Sequence, residues 1–350
     1  MTKPVYSTPP SSASVWLHTL VLAIGLALLA AVPALVFADV PKVDLARFDY
    51  GLRARALADG VYVVEGANDD FSVANGCNII NTGFITTGEG VVVINTGTSR
   101  RYGEQLRALI ARTTTEPVVQ VVQLNLHPDY FLGNQGFADV PRTATPVTRA
   151  GVAREAAAYE TNLYRLCGDW MLGTETVAPD RDTPAAPPGG SVWKVGQRTF
   201  ELREFSGHTA SDLVLVDRTS GVAFVGGLVF VQRIPTTPHA QVGPWLKSLD
   251  ALDALNLRTL VPSHGPVQTT PEAARDGIAQ TRRFLQWIDQ HFSRWAAQGW
   301  EMNEVLRAPV PAEFRDWAAF KSEYVRNVAH LYPAYERQVL APATGAASSR

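Results

Sequence analysis

In the stretch Val118 to Phe137, V-V-Q-V-V-Q-L-N-L-H-P-D-Y-F-L-G-N-Q-G-F, a valine-rich apolar run gives way to polar residues. The run Val118 to Leu124 reads as a buried strand, and alternation beyond it puts Asn125, His127 and Asp129 on one side of an extended segment. An imidazole and a carboxylate so placed can converge on one cation, which is the chemistry of a metal site. Two further histidines also follow apolar runs. Ser206-Gly207-His208-Thr209 comes after a strand ending at Phe205, and Pro262-Ser263-His264-Gly265-Pro266 comes after Thr259-Leu260-Val261. Side chains at strand ends along one sheet edge can meet in a shared cleft.

The elements that must position them alternate between short strands and helices. Val61 to Val64 and Asn78 to Thr86 read as strands, and Gly88-Glu89-Gly90 turns the chain into Val91 to Ile94, which ends at Asn95-Thr96-Gly97. Ser99 can cap a helix in which Tyr102, Leu106, Leu109 and Ile110 recur at helical spacing, so Val91 to Leu124 forms a β-α-β unit. A second helix is predicted over Val152 to Leu166, followed by a proline- and glycine-rich loop from Arg181 to Gly190 and a hairpin from Val192 to Phe205 turning at Gly196-Gln197. Leu213 to Asp217 and Val222 to Val225 are further strands, the latter closed by Gly226-Gly227-Leu228. After a helix from Val242 to Leu255, Glu272 to Ala297 and Glu313 to Arg337 are long helical patterns with tryptophan and tyrosine facing inward.

This order resembles the metallo-β-lactamase superfamily, whose motif H-x-H-x-D-H stands at the end of a core strand. The resemblance implies an α/β fold of the α+β type, a four-layered αββα sandwich. It also implies His127 and His208 at a first metal position, and Asp129 and His264 at a second, with Asp129 orienting the reacting water. Four family positions are substituted here. Asn125 and Tyr130 replace the first and last histidines, Gly227 replaces the bridging aspartate, and Asn95 replaces the acid of I-D-T-G. Each half keeps two ligands, whereas a catalytic zinc normally has three plus water. The cofactor implied is therefore one zinc ion or none. A shared ion would be held by His127, His208 and either Asp129 or His264, with a weak carbonyl contact from Asn125. His239 and Asp212 fall outside the pattern and are conceivable replacements. The wording R-R-Y-G-E-Q-L, R-I-P-T-T-P and N-V-A-H-L-Y is similar to exported quinoprotein relay-system zinc metallohydrolases, which implies a periplasmic quinoprotein system as partner.

The first 38 residues read as a cleaved signal peptide. Lys3 opens it, Leu20 to Val32 is apolar, and Val36-Phe37-Ala38 precedes Asp39. An uncleaved anchor over Val15 to Phe37 is the alternative, interrupted by His18 and Pro33. The expected product is periplasmic or secreted, with no stable membrane span after cleavage. Residues 39–60 then form a linker, 61–268 the main domain, and 269–350 a helical extension packed on it with a disordered tail. Cys77 and Cys167 are candidates for one disulfide in an oxidising compartment, or for two buried thiols. In 350 residues of net charge -2, 31 basic and 33 acidic side chains call for no nucleic-acid partner. The depleted ligand set favours a non-catalytic protein whose cleft binds a small molecule or redox partner. A mono-metal hydrolase of ester, thioester or lactam bonds is the alternative, and a scaffold without ligand the third reading. Restoring the ligands as Asn125→His, Tyr130→His and Gly227→Asp is expected to raise zinc content towards two per chain.

Overall fold

A computed structural model describes residues 1, 44–184 and 189–340. The signal-peptide and anchor segment, the proline-rich tip of the Arg181–Gly190 loop and the C-terminal tail lie outside the described residues. The chain divides into two units, Met1–Arg47 and Phe48–Arg350. In the first, the described structure is a 3-10 turn at Leu45–Arg47. The second unit carries both sheets and the helices that cover them.

Short β-branched runs separated by tight turns build the first sheet. β1 (Arg55–Ala58), β2 (Val61–Val64), β3 (Thr82–Thr86) and β4 (Val91–Ile94) pair antiparallel in sequence order. Helix α1 (Arg100–Thr113) crosses over, and β5 (Val118–Val122) runs parallel to β4. Ser99 caps α1, its side chain accepting from the Tyr102 N–H. A helical turn α2 (Pro128–Phe131), β6 (Arg142–Ala144), helix α3 (Pro146–Cys167) and β7 (Arg181–Asp182) complete a seven-stranded sheet. The second, five-stranded sheet contains β8 (Ser191–Val195), β9 (Arg198–Phe205), β10 (Asp212–Asp217), β11 (Val222–Phe224) and β12 (Thr259–Val261), with α4 (Val242–Asp253) joining its last two strands. Helix α5 (Pro271–Ala297), the single turns α6 (Met302–Val305) and α7 (Ala312–Arg315), and α8 (Phe320–Leu340) come after the last strand.

Three apolar clusters make these elements four layers. Val61, Val92, Ile94 and Val122 of the first sheet meet Phe200, Leu213, Leu215 and Phe224 of the second. The outer face of the first sheet, with Phe84, Val93 and Val121, is covered by Tyr102, Leu106 and Ile110 of α1. The outer face of the second, with Val214, Ala223 and Leu260, is covered by α4, α5 and α8 through Trp245, Ile288, Phe292 and Tyr332. Burial of apolar side chains on both faces of both sheets is what the αββα arrangement provides. Among the described residues no helix is long and apolar enough to cross a membrane.

Several predicted boundaries move, each for a local reason. The first sheet begins inside the expected linker, because Asp59-Gly60 makes a two-residue hairpin turn with Gly60 at φ +67. α3 starts earlier than predicted, at Pro146, because Thr145 accepts from the Thr148 N–H and proline suits the first helical position. Arg181 and Asp182, predicted as loop, pair in parallel with Thr143 and Ala144. The expected helix Glu313 to Arg337 breaks between α7 and α8. There Ala318 donates its N–H to the Gln232 carbonyl and accepts from Ile234, while Ala319 takes φ 58, so the ladder of a continuous helix is interrupted.

Candidate functional site

The site lies where several strands end together. β5 stops at Val122, short of the predicted Leu124, and the residues after it leave the extended path. Asp129 is in the helical turn α2, with Pro128 at its first position, so strand alternation does not set its direction. The convergence of His127 and Asp129 is produced by that turn instead. Asn95 holds the neighbouring strand end. It adopts φ 57, which asparagine tolerates, and its Oδ1 accepts from the Leu124 N–H at 3.1 Å. Asn81 crosses to the His264 loop, donating to the carbonyls of Pro262 at 3.1 Å and Gly265 at 2.8 Å.

The four predicted ligand residues come together as two pairs. The His127 and His208 rings are 4.6 Å apart, and His264 Nε2 is 3.5 Å from Asp129 Oδ2. All four are buried. His264 Nδ1 donates to the Ile79 carbonyl at 2.8 Å, so a neutral His264 presents a lone pair on Nε2. Its ring stacks on Phe230 at 5.1 Å. Burial pushes the Asp129 carboxyl up to about 7, and burial holds His127 and His264 well below the ordinary imidazole range.

His208 is oriented through Nδ1, which leaves its Nε2 unpartnered. Its Nδ1 donates to Asp212 Oδ1 at 2.9 Å, and Asp212 Oδ2 accepts from the Thr209 N–H at 2.8 Å, all three residues being buried. Asp212 is therefore a partner of His208, not a replacement ligand. Gly227 sits in a 3-10 turn at Gly226–Leu228, and a side chain there would begin inside the His208 ring. The bridging carboxylate and this His208 position are mutually exclusive, so Gly227→Asp cannot restore the family site unless His208 moves. The close packing at Gly227 makes Gly227→Asp the demanding step of the triple revertant, since the His208 ring would have to shift. Asn125 Oδ1 accepts from the His127 N–H at 2.9 Å, which fixes the approach to the turn. Tyr130 packs in the core between the sheets, its hydroxyl facing Ser263 and Asn125 without closing a hydrogen bond to either. His239 lies with its ring 5.5 Å from His127 and its Nε2 3.0 Å from the Tyr159 hydroxyl.

His127 Nε2, His208 Nε2 and Asp129 Oδ2 are buried without hydrogen-bond partners. A cation would satisfy these atoms, yet among the described residues no three His, Cys, Asp or Glu side chains are disposed to hold one ion. A dinuclear zinc centre does not fit the residues present.

A pocket of about 380 Å³ opens from His127, Asp129 and His264 towards α3 and α8. Tyr159, Arg165, Glu323, Arg326 and His330 stand on its wall; His330 belongs to the N-V-A-H-L-Y wording, and none of the five had a role assigned to it from sequence. Behind it, fully buried Arg233 donates to the Asp69 carbonyl at 2.9 Å and lies 3.6 Å from Glu323. The R-I-P-T-T-P wording contained Arg233 but gave no role for it. Cys77 and Cys167 form a disulfide beside this pocket, with Cα atoms 5.9 Å apart.

Two packed sheets, helices on both outer faces and a cleft at the strand ends define a metallo-β-lactamase-like protein. The profile of the metallo-beta-lactamase superfamily matches residues 75–264, and the chain belongs to that superfamily. A linear primary-alkylsulfatase from Pseudomonas sp. is 21% identical over 279 residues, covering 69% of this chain and 52% of the enzyme. The chain thus spans about half the length of that relative. Among solved structures, a metallo-beta-lactamase from Pontibacter korlensis shares 22% identity at TM-score 0.53, over 67% of this chain and 99% of that one. Another from Hirschia baltica shares 17% at TM-score 0.51, over 66% and 97%. At these identities the likeness is one of fold.

Proposed function

We propose that the chain is an exported member of the superfamily with an incomplete zinc site, which keeps its cleft as a binding pocket for a small molecule and does not carry out dinuclear hydrolysis. One observation carries the reading: the His208 ring, held by Asp212, fills the space in which a bridging side chain at 227 would stand. With two candidate ligands in each half, the protein offers too little to offset an ion's lost hydration shell. The disulfide supports export, since such bonds persist in oxidising compartments. The resemblance to relay-system hydrolases extends the proposal to a periplasmic quinoprotein partner.

Chelation tests the proposal. A metal that binds only the folded state stabilises it by mass action, about 2.7 kcal/mol at a hundredfold excess over Kd. The melting temperature of protein purified without chelator is expected to be the same before and after EDTA treatment. A fall of several degrees that zinc reverses would overturn the reading.

A second reading, a hydrolase of ester, thioester or lactam bonds with one divalent ion, is favoured by the unpartnered Nε2 atoms of His127 and His208. It requires hydrolytic activity that both EDTA and His208→Ala abolish.

A further inference from the structure

The chain from Glu65 to Asn81 joins β2 to β3 with no strand or helix of its own. Its neck is closed. Asn81 Oδ1 accepts from the Gly66 N–H at 3.2 Å, and the Ala67 N–H donates to the Asn78 carbonyl at 2.9 Å. The Asn81 N–H donates in turn to the Ser263 carbonyl at 2.8 Å, which anchors the neck to the body of the fold. Beyond the neck, the segment from Asp70 to Cys77 is tied to itself. Asn75 Nδ2 donates to the Asp70 carbonyl at 2.8 Å, and Asn75 Oδ1 accepts from the N–H groups of Ser72 and Cys77 at 3.2 and 2.9 Å. A compact loop with joined ends and internal bonds can move as one flap, and irregular connections of this length are commonly functional.

The flap lines the pocket through Phe71, with Ile79 at its base, and α3 lines it through Tyr159, Asn162, Arg165 and Leu166. The disulfide joins these two walls, since Cys77 is in the flap and Cys167 is the last residue of α3. Gly76 and Cys77 both take left-handed backbone, at φ 59 and 61, which glycine accepts freely and cysteine adopts at a cost. Such outliers persist where their surroundings over-determine them, and they gather at clamps and switches. The other ties on the flap are weaker. The Tyr50 hydroxyl donates to the Gly76 carbonyl at 3.1 Å, and Arg326 holds Asp70 at 3.0 Å with a side chain that is 38% exposed, where water screens the pair. Both cysteines are buried, yet the surface is close by: Val73 and Ala74 on the flap are exposed, and a side chain added at Gly168, next to Cys167, would meet open space.

We propose that the Cys77–Cys167 bond is a redox-sensitive clamp on the pocket. Oxidised, it holds the flap against α3; reduced, it lets Cys77 leave the left-handed conformation and the flap swing away from the pocket. The reductant is a dithiol. Its thiolate attacks one of the two sulfurs, and the other leaves as a thiolate that takes up a proton; the second thiol of the reductant then closes the reductant's own disulfide and releases the remaining cysteine. Two electrons pass to the protein's disulfide, and the two protons of the dithiol end on Cys77 and Cys167. The proposal adds regulation to the cleft read above as a binding pocket, and rests on that reading for its consequence, while the clamp itself is the same with or without zinc.

Hydrogen–deuterium exchange of the full mature protein, read by peptide mass spectrometry, tests it with dithiothreitol as the dithiol. Labelling is kept short, so that peptides from β4, β5 and α4 stay protected in both redox forms. Reduction is expected to speed exchange over residues 70–78 by at least about tenfold, and reoxidation to restore the protection. Asp70→Asn, which loosens the ion pair with Arg326, is expected to hasten reduction severalfold, because the flap must open before a thiolate reaches a buried sulfur. Four results would each overturn the proposal: unchanged exchange over residues 70–78 after reduction, loss of protection in β4 and β5 along with the flap, a bond that dithiothreitol leaves intact in the folded protein, or an Asp70→Asn rate equal to that of wild type. Zinc content plays no part in these measurements, so the zinc-free reading stands or falls apart from them.

Discussion

A carboxyl group buried beside two imidazoles, with one oxygen lacking a hydrogen bond, makes folding sensitive to pH. Asp129 has an ordinary value of 3.8 and is pushed up to about 7 by burial. Its protonated form is favoured in the folded state, so the contribution is fully present below about 4 and is lost as pH rises through about 7. Each unit of such a shift corresponds to about 1.4 kcal/mol. Asp129→Asn removes the ionisation, and its stability relative to wild type is expected to grow as pH rises from 4 to 7. Urea unfolding of both proteins across that range checks the slope. An Asn variant less stable than wild type at pH 7 would mean that a bound cation normally stabilises the carboxylate. The residues of this site were visible in the sequence, but their commitments were not. His208 and Asp212 are only four positions apart, yet no pattern announces that their bond would close the space above Gly227. Glu323 is one acidic residue on a long helix, and only tertiary burial distinguishes it.

Elements carry the site through their ends and connections. The β-α-β unit from β4 to β5, the hairpin β8–β9 and the strand β12 were legible because apolar period, caps and glycine turns agreed. Boundaries set by tertiary hydrogen bonds were not, as the break before α8 shows: its cause is a bridge to Gln232 and Ile234, remote in sequence. The Cys77–Cys167 bond ties the loop before β3 to the end of α3, next to the pocket wall, and closes a span of 90 residues. In the chain-entropy account such a closure stabilises by about 4–5 kcal/mol. Cys77→Ser and Cys167→Ser are each expected to lose a comparable amount in denaturant unfolding, and the double variant no more than either alone. Additive losses would show that the two thiols act independently.

At the scale of the whole molecule, the superfamily scaffold is retained, and the proposal is that its metal chemistry is depleted. The sheets, their order and the outer helices place the four predicted ligand residues at one cleft, while Asn125 accepts from the His127 N–H, Tyr130 fills core, and Gly227 makes room for a buried histidine. The C-terminal helices close the second sheet and supply one wall of the pocket, which gives the cleft a lining that the family-matched region alone does not provide. The central claim is that this cleft is no longer a zinc hydrolase centre. Its most direct test is the zinc content, by plasma mass spectrometry, of mature protein purified from a zinc-supplied culture without any chelator, measured beside the Asn125→His, Tyr130→His, Gly227→Asp variant. The account predicts far less than one zinc per chain in the wild type and no second ion in the variant, because the His208 ring blocks residue 227. A full equivalent of zinc in the wild type, together with hydrolysis that His208→Ala abolishes, would contradict it.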